Sequence, residues 1–175
     1  MVKEIVRDTR VIRRTAARMS AENYRFRSFI RRELKMAGQE LDTLVGATTD
    51  RVWGQIDCTT CAHCCKTLQI DVSDEDILRL ADHFGITAAE FREQYVREPD
   101  PNTKMLKSGP CVFLGEDNLC TVYEARPEDC RGYPYLHRPG FRQRSLTMIS
   151  NAAVCPIVFN VWEDLKDSLK FRRKQ

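Results

Sequence analysis

No run of about 18 apolar residues occurs in the chain, so no stretch of it can cross a bilayer as a helix. G-x-G-x-x-G, the P-loop, H-E-x-x-H and G-x-S-x-G are all missing, so no dinucleotide, nucleotide-triphosphate, zincin or nucleophile-elbow site is signalled. Charge of one sign is lacking as well. The 28 basic and 25 acidic residues leave a net of +3, too balanced to point to nucleic acid by itself. The opening MVKEIVRDTR carries charges every two or three residues and no apolar stretch, so no secretory signal is expected and the cytoplasm is the expected compartment. What the chain does have is cysteine, eight in 175 residues. In a reducing compartment thiols at this density read as metal ligands or redox groups rather than disulfides.

Residues 1–51 contain no cysteine, no proline and two glycines, with 12 basic and 7 acidic residues. Ile5, Thr9, Ile12, Ala16 and Met19 repeat at alternating spacings of four and three, which is one face of a helix. Ser20 is a candidate cap for a second helix, in which Ile30, Leu34, Ala37, Leu41 and Leu44 repeat that spacing until Gly46 stops it. Arg13, Arg14, Arg18, Arg25, Arg27, Arg31 and Arg32 stud both helices. They read first as a solvated face, because the interspersed carboxylates weaken a patch for an acidic partner or a nucleic acid.

From residue 52 the character changes. Leu68, Ile70 and Val72 alternate as a short strand, and Ser73 with Asp76 forms a capping box ahead of Ile77, Leu80, Ala81 and Phe84, with Gly85 as the stop. Thr87 with Glu90 starts a further helix that Pro99 and Pro101 close. CVFLGEDNLCTVY predicts a β-hairpin turning at Gly115, Asp117 and Asn118. Residues 131–157 read as irregular, and an amphipathic helix with Val158, Trp162, Leu165 and Leu169 leads into a basic tail, FRRKQ.

Cys58, Cys61, Cys64 and Cys65 form C-x2-C-x2-C-C, and Cys111, Cys120, Cys130 and Cys155 follow at longer intervals. Closely spaced ligands suit a metal site because little extra loop entropy is lost in closing it. On a helix, Cys58, Cys61 and Cys65 would share a face and Cys64 would point away, giving the adjacent cysteines different roles. The C-x2-C-x2-C run with a distant Cys155-Pro156 follows the logic of iron–sulfur ligation, while eight thiolates also divide into two tetrahedral zinc sites. Either centre carries net negative charge, and Lys66, Arg126 and Arg131 lie beside cysteines. Arg126 and Arg131 are therefore expected to support the centre, by hydrogen bonds to sulfur or to nearby carbonyls. His63 is a candidate fourth ligand or supporting donor, whereas His83 and His137 read as structural.

CTTCAHCC, followed by GPCVFLGEDNLCTVYEARPEDCRGYPY, resembles the cysteine-cluster family often called YkgJ-type, a group assigned to zinc or iron chelation. The similarity runs from residue 58 to about 155 and leaves out the N-terminal helices and the basic tail. It implies that Cys58, Cys61, Cys64, Cys65, Cys111, Cys120, Cys130 and Cys155 build a metal centre. A related cysteine region occurs in flagellin lysine methylases, but carrying over methylase activity would be analogy alone.

The expected fold is α+β and helix-rich, with a small hairpin and irregular cysteine-rich loops organised around a metal centre. A helical arm over 1–51 is expected to pack on a cysteine-cluster domain over 52–175. The expected function is a metal-binding protein holding an iron–sulfur cluster of the 4Fe-4S type, with a redox or methyl-transfer accessory role. The alternative is a zinc-stabilised module docking another macromolecule, a protein rather than a nucleic acid. Catalysis is not established by the sequence.

Overall fold

A computed structural model describes residues 4–107 and 109–172, so that Arg173, Lys174 and Gln175 of the basic tail lie outside the described residues. The fold is α+β and dominated by helices, and it divides into two units, Met1–Asp57 with Pro134–Gln175, and Cys58–Tyr133.

The first unit is helical. Asp8 caps α1 (Thr9–Arg18) by accepting from the backbone N–H groups of Arg10 and Val11, and Ile12 and Ala16 are its buried face. α2 (Ser20–Ser28) runs into a π-helical turn over Phe29–Glu33, after which the chain becomes extended at Leu34. The single helix expected across residues 20–45 is therefore two. α3 (Gly38–Trp53) begins where the expected helix was still running and continues through Gly46, which does not stop it.

Tertiary bonds explain the break. The Arg142 guanidinium, from α9 (Phe141–Ala152), donates to the carbonyls of Ile30, Leu34 and Met36, satisfying groups that a continuous helix would have paired internally. In return Asp42 of α3 caps α9, accepting from the N–H groups of Gly140 and Phe141 at 2.8 and 2.9 Å. Residues 141–152, expected to be irregular, are helical because their cap comes from a distant segment.

α10 (Pro156–Ser168) is the axis of this unit, buried from Pro156 through Lys166. Trp162 packs edge-on against Phe26 with ring centroids 5.0 Å apart and donates to Asn23 Oδ1. Asn160 both donates to and accepts from the Val6 backbone, tying down the segment before α1. Lys166 has no solvent exposure and donates to Glu22, Asn23 and Glu163 at 2.6–2.8 Å. A buried ammonium persists only when paired in this way.

In the second unit α6 (Asp74–Phe84) and α7 (Ala88–Tyr95) both start with the expected capping boxes, Ser73 with Asp76 and Thr87 with Glu90, and Gly85 ends α6 at φ +65°. The hairpin lies elsewhere than expected. β1 (Val96–Asp100) pairs antiparallel with β2 (Thr103–Leu106), with an irregular register between Arg97 and Asp100. Pro99 and Pro101 thus shape an edge strand and its turn rather than merely ending α7. Over 111–123 the pairing shrinks to one bridge, Leu114 with Cys120. The strand expected over residues 68–72 likewise makes a single bridge, Asp71 with Met105 on β2, flanked by bonds from Val72 to Lys104 and from Leu106 to Ile70. Phe84, Phe91, Tyr95 and Phe113 stack above Ile77, Leu80 and Leu106, and Cys111, Cys120 and Cys130 pack against this core.

Candidate metal centre

Three segments of the second unit carry cysteines toward one another. The first holds two single-turn helices, α4 (Cys58–Cys61) and α5 (His63–Thr67), separated by a buried Ala62 in the left-handed region at φ 48°. Left-handed backbone is costly for alanine, and here it breaks what would otherwise be one helix. The helical-wheel expectation therefore fails: Cys64 does not point away from Cys65 but hydrogen-bonds to its sulfur.

The second segment is tied to the first by its backbone, Cys111 N–H donating to Cys65 O at 2.8 Å. It reverses at Gly115–Leu119. Gly115 donates to Leu119 O, and a Cβ on Gly115 would come within 2.7 Å of Asp117 Oδ1, so only glycine fits without displacing that side chain. The reversal sets Cys120 opposite Leu114, while buried Phe113 and Val122 anchor the two arms in the core.

The third segment, Ala125–Cys130, is placed by α6. Asp76, only 2% exposed, accepts from the N–H of Ser73 and, across 52 residues, from that of Glu128 at 3.1 Å. Arg79 pairs with Asp76 and donates to the carbonyls of Ala125 and Arg126. Together they hold the start of α8 (Glu128–Gly132), on which Cys130 sits. The capping box made Asp76 legible as a helix start, but nothing in the sequence signals its second task.

All eight cysteines are thiols, seven of them partly exposed and Cys155 buried. The hydrogen bond from Cys64 is the main reason Cys65 is lowered to about 7, opposed by burial and aided by its own backbone N–H and by Lys66. Cys65 thus ionises more readily near neutral pH than Cys111, Cys120 or Cys130. Cys130 is pushed up to about 12, chiefly by burial and in the same direction by the charges of Cys111, Cys65, Asp129 and Cys120. Burial also raises Cys111 and Cys120, each repelled in addition by the Cys65 thiolate, and the Arg126 guanidinium partly offsets this at Cys120. The Cys65 thiolate therefore bears on Cys111, Cys120 and Cys130 alike.

The remaining expected site residues are distributed as follows. Cys58 and Cys61 bracket α4 in the same unit. Cys155 belongs to the first unit, at the N-cap of α10, where its N–H donates to Asn151 O. Arg126 stacks its guanidinium 3.8 Å over the Tyr123 ring and donates to Tyr123 O. Arg131 donates to the carbonyls of Arg126 and Glu124. These bonds go to the backbone of the loop between Cys120 and Cys130. Among the described residues no three His, Cys, Asp or Glu side chains are gathered tightly enough to hold a metal ion between them as they stand. His137 is bonded to Asp50 at 2.8 Å in the first unit.

Seven thiols carried on short turns and loops, with Lys66 beside Cys65 and Arg126 near Cys120, make the second unit thiol-rich. The chain belongs to the CxxCxxCC family, described as "Putative zinc- or iron-chelating domain", whose match covers residues 57–156. No curated protein and no solved structure matches the chain. The family span takes in the whole second unit and continues through α9 to Cys155-Pro156. No helix among the described residues is long and apolar enough to cross a membrane.

Proposed function

We propose that this chelating domain holds an iron–sulfur cluster of the 4Fe-4S type in the cytoplasm and serves a redox or methyl-transfer partner as an accessory. The observation that carries the reading is the group Cys65, Cys111, Cys120 and Cys130, four half-buried sulfurs in which the Cys65 thiolate opposes ionisation of the other three, beside Lys66 and Arg126. Such a set is unfavourable as thiolates alone and becomes favourable around a cation, so the donor chemistry fits the group. Thiolate ligands suit iron–sulfur clusters and zinc alike. Seven cysteines in residues 58–133 exceed what one tetrahedral zinc needs. The residues assigned to ligation are Cys58, Cys61, Cys64, Cys65, Cys111, Cys120, Cys130 and Cys155, with Arg126 and Arg131 holding the Cys130 loop. When bound, the cluster supplies one-electron chemistry. The chain's own part is to bury the sulfurs, fix their loops and offset their charge.

A second reading, zinc as a structural staple for a docking module, is favoured by the small size of the second unit. Domains of this size commonly need a staple. Anaerobic purification with metal analysis and visible absorption separates the two readings. Stoichiometric iron with acid-labile sulfide supports the cluster, and colourless stoichiometric zinc supports the staple. Full metal content in a Cys58→Ser, Cys61→Ser double variant would remove both.

A further inference from the structure

Charge is divided unevenly between the two structural units. Residues 58–133 hold 8 basic and 14 acidic side chains, while residues 1–57 with 134–175 hold 20 and 11, so one unit carries −6 and the other +9. The excess is concentrated at the start of the basic unit. α1 reads TRVIRRTAAR, four arginines and no carboxylate. At about 100° per residue, Arg10, Arg13, Arg14 and Arg18 fall in one sector opposite the buried Ile12 and Ala16, and all four are exposed. Arg10 and Arg18 lie about 12 Å apart along the axis.

Of the two carboxylates between residues 5 and 32, Asp8 stays at the N-terminus of α1 as its cap and Glu22 is drawn away from it. Asp8 spends its Oδ1 on the N–H groups of Arg10 and Val11, leaving a loose 3.8 Å approach to the Arg10 side chain. Glu22 turns inward to the buried Lys166 at 2.8 Å. Among the described residues Arg13, Arg14, Arg18, Arg31 and Arg32 are in no ion pair. Of these interspersed carboxylates Asp8 alone therefore stays beside the arginines of α1, at its first turn.

We infer that the exposed arginine face of α1 docks the phosphate backbone of a nucleic acid. Arginine forks match phosphate oxygens, and a regularly charged polyanion rewards an array of them by counterion release. An acidic protein fits less well. Protein interfaces are anchored by a desolvated aromatic or apolar centre, and Val11 is the one large apolar side chain exposed on this helix. The inference is independent of the metal reading, since the cysteine ligands assigned above contribute nothing to this face.

Fluorescence anisotropy of the full, reduced, metal-loaded chain with labelled duplex DNA and with labelled single-stranded RNA tests it, with polyglutamate as the acidic control. Binding should weaken steeply between about 50 and 200 mM salt. An Arg10→Gln, Arg14→Gln, Arg18→Gln variant should bind about tenfold or more weaker and lose about 3 from the salt slope. Its melting temperature should be unchanged, and Arg97→Gln on β1 should bind like the parent. Absence of binding to both nucleic acids at about 50 mM salt, equal binding by the triple variant, or equal affinity for polyglutamate would each overturn the proposal.

Discussion

In the first unit α10 is enclosed over eleven successive residues, its polar members included, and Trp162, Phe26 and Phe141 fill the space around it. In the second unit the apolar cluster is a layer of Ile70, Val72, Ile77, Leu80, Phe91 and Leu106 on one side of loops that carry thiols. One region encloses the Lys166 ammonium in a network with Glu22, Asn23 and Glu163. The other leaves half-buried sulfurs whose charges oppose one another. The difference teaches where a metal acts energetically. A region built around a buried helix gains little from it, and a region in which one thiolate repels three neighbouring thiols gains much, because binding free energy is then folding free energy.

The largest expected effect follows directly. Stripping metal under reducing conditions should melt residues 58–133 while α10 keeps its protection, the bound ion being worth about 10 kcal/mol or more if zinc is representative. Hydrogen exchange resolved along the chain reads this out, and Trp53 and Trp162, both in the first unit, should keep their native fluorescence. Equal loss of protection in both units would erase the contrast.

The converse experiment attacks the first unit. Lys166→Ala leaves buried Glu163 and partly buried Glu22 without their cation and should cost about 3–5 kcal/mol in urea melts. Metal content should not change. Loss of metal in this variant would show that the two regions do not keep their stabilities apart.

Next in size is Asp76→Ala, about 2–3 kcal/mol, because it removes the carboxylate paired with Arg79 and the acceptor of the Ser73 and Glu128 N–H groups. Metal should also be held less well, since Asp76 places the start of α8. Burial tends to raise Asp76, but bonds from the Ser73 and Glu128 N–H groups, Arg79 and the Ser73 hydroxyl outweigh it and hold the carboxyl below its usual range. A depressed value means that its stabilisation is present above about pH 4 and disappears as pH falls through the folded-state value. Asp76→Asn should therefore lie below the parent at neutral pH and converge with it in acid. A constant gap would break the assignment.

The smallest effect belongs to Arg126→Ala, about 1 kcal/mol or less from its stacking on Tyr123 and its carbonyl bond. It should speed metal loss slightly, while Arg13→Ala on α1 should leave retention unchanged. Indistinguishable retention in the two variants would remove Arg126 from the support of the Cys130 loop.

Much of this was legible in the chain itself. Ser73 with Asp76 and Thr87 with Glu90 announced two helices because a capping box is complete within four residues. Gly85 ended one of them for an equally local reason. The cysteine pattern and its flanking residues identified the family, since the donor chemistry resides in residue type and spacing. The hairpin was misplaced because Gly115, Asp117 and Asn118 do make a turn, but one that closes only a single bridge. The true pair at 96–106 carried two prolines that read more naturally as stops.

By itself the sequence determined the chelating class, the helices whose caps lie next to them, and the apolar stripe of α10. Each rests on groups a few bonds or one helical turn apart. Only the tertiary structure decided that residues 34–37 break a helix and that residues 141–152 form one. The groups responsible, Arg142 and Asp42, act across 98 to 112 residues on orphaned backbone atoms that no local rule can pair. It also decided that Cys64 bonds to Cys65, through the left-handed Ala62. The charge contrast between the units is of the same kind, for it appears only when residues far apart in the chain are counted with the unit they fold into.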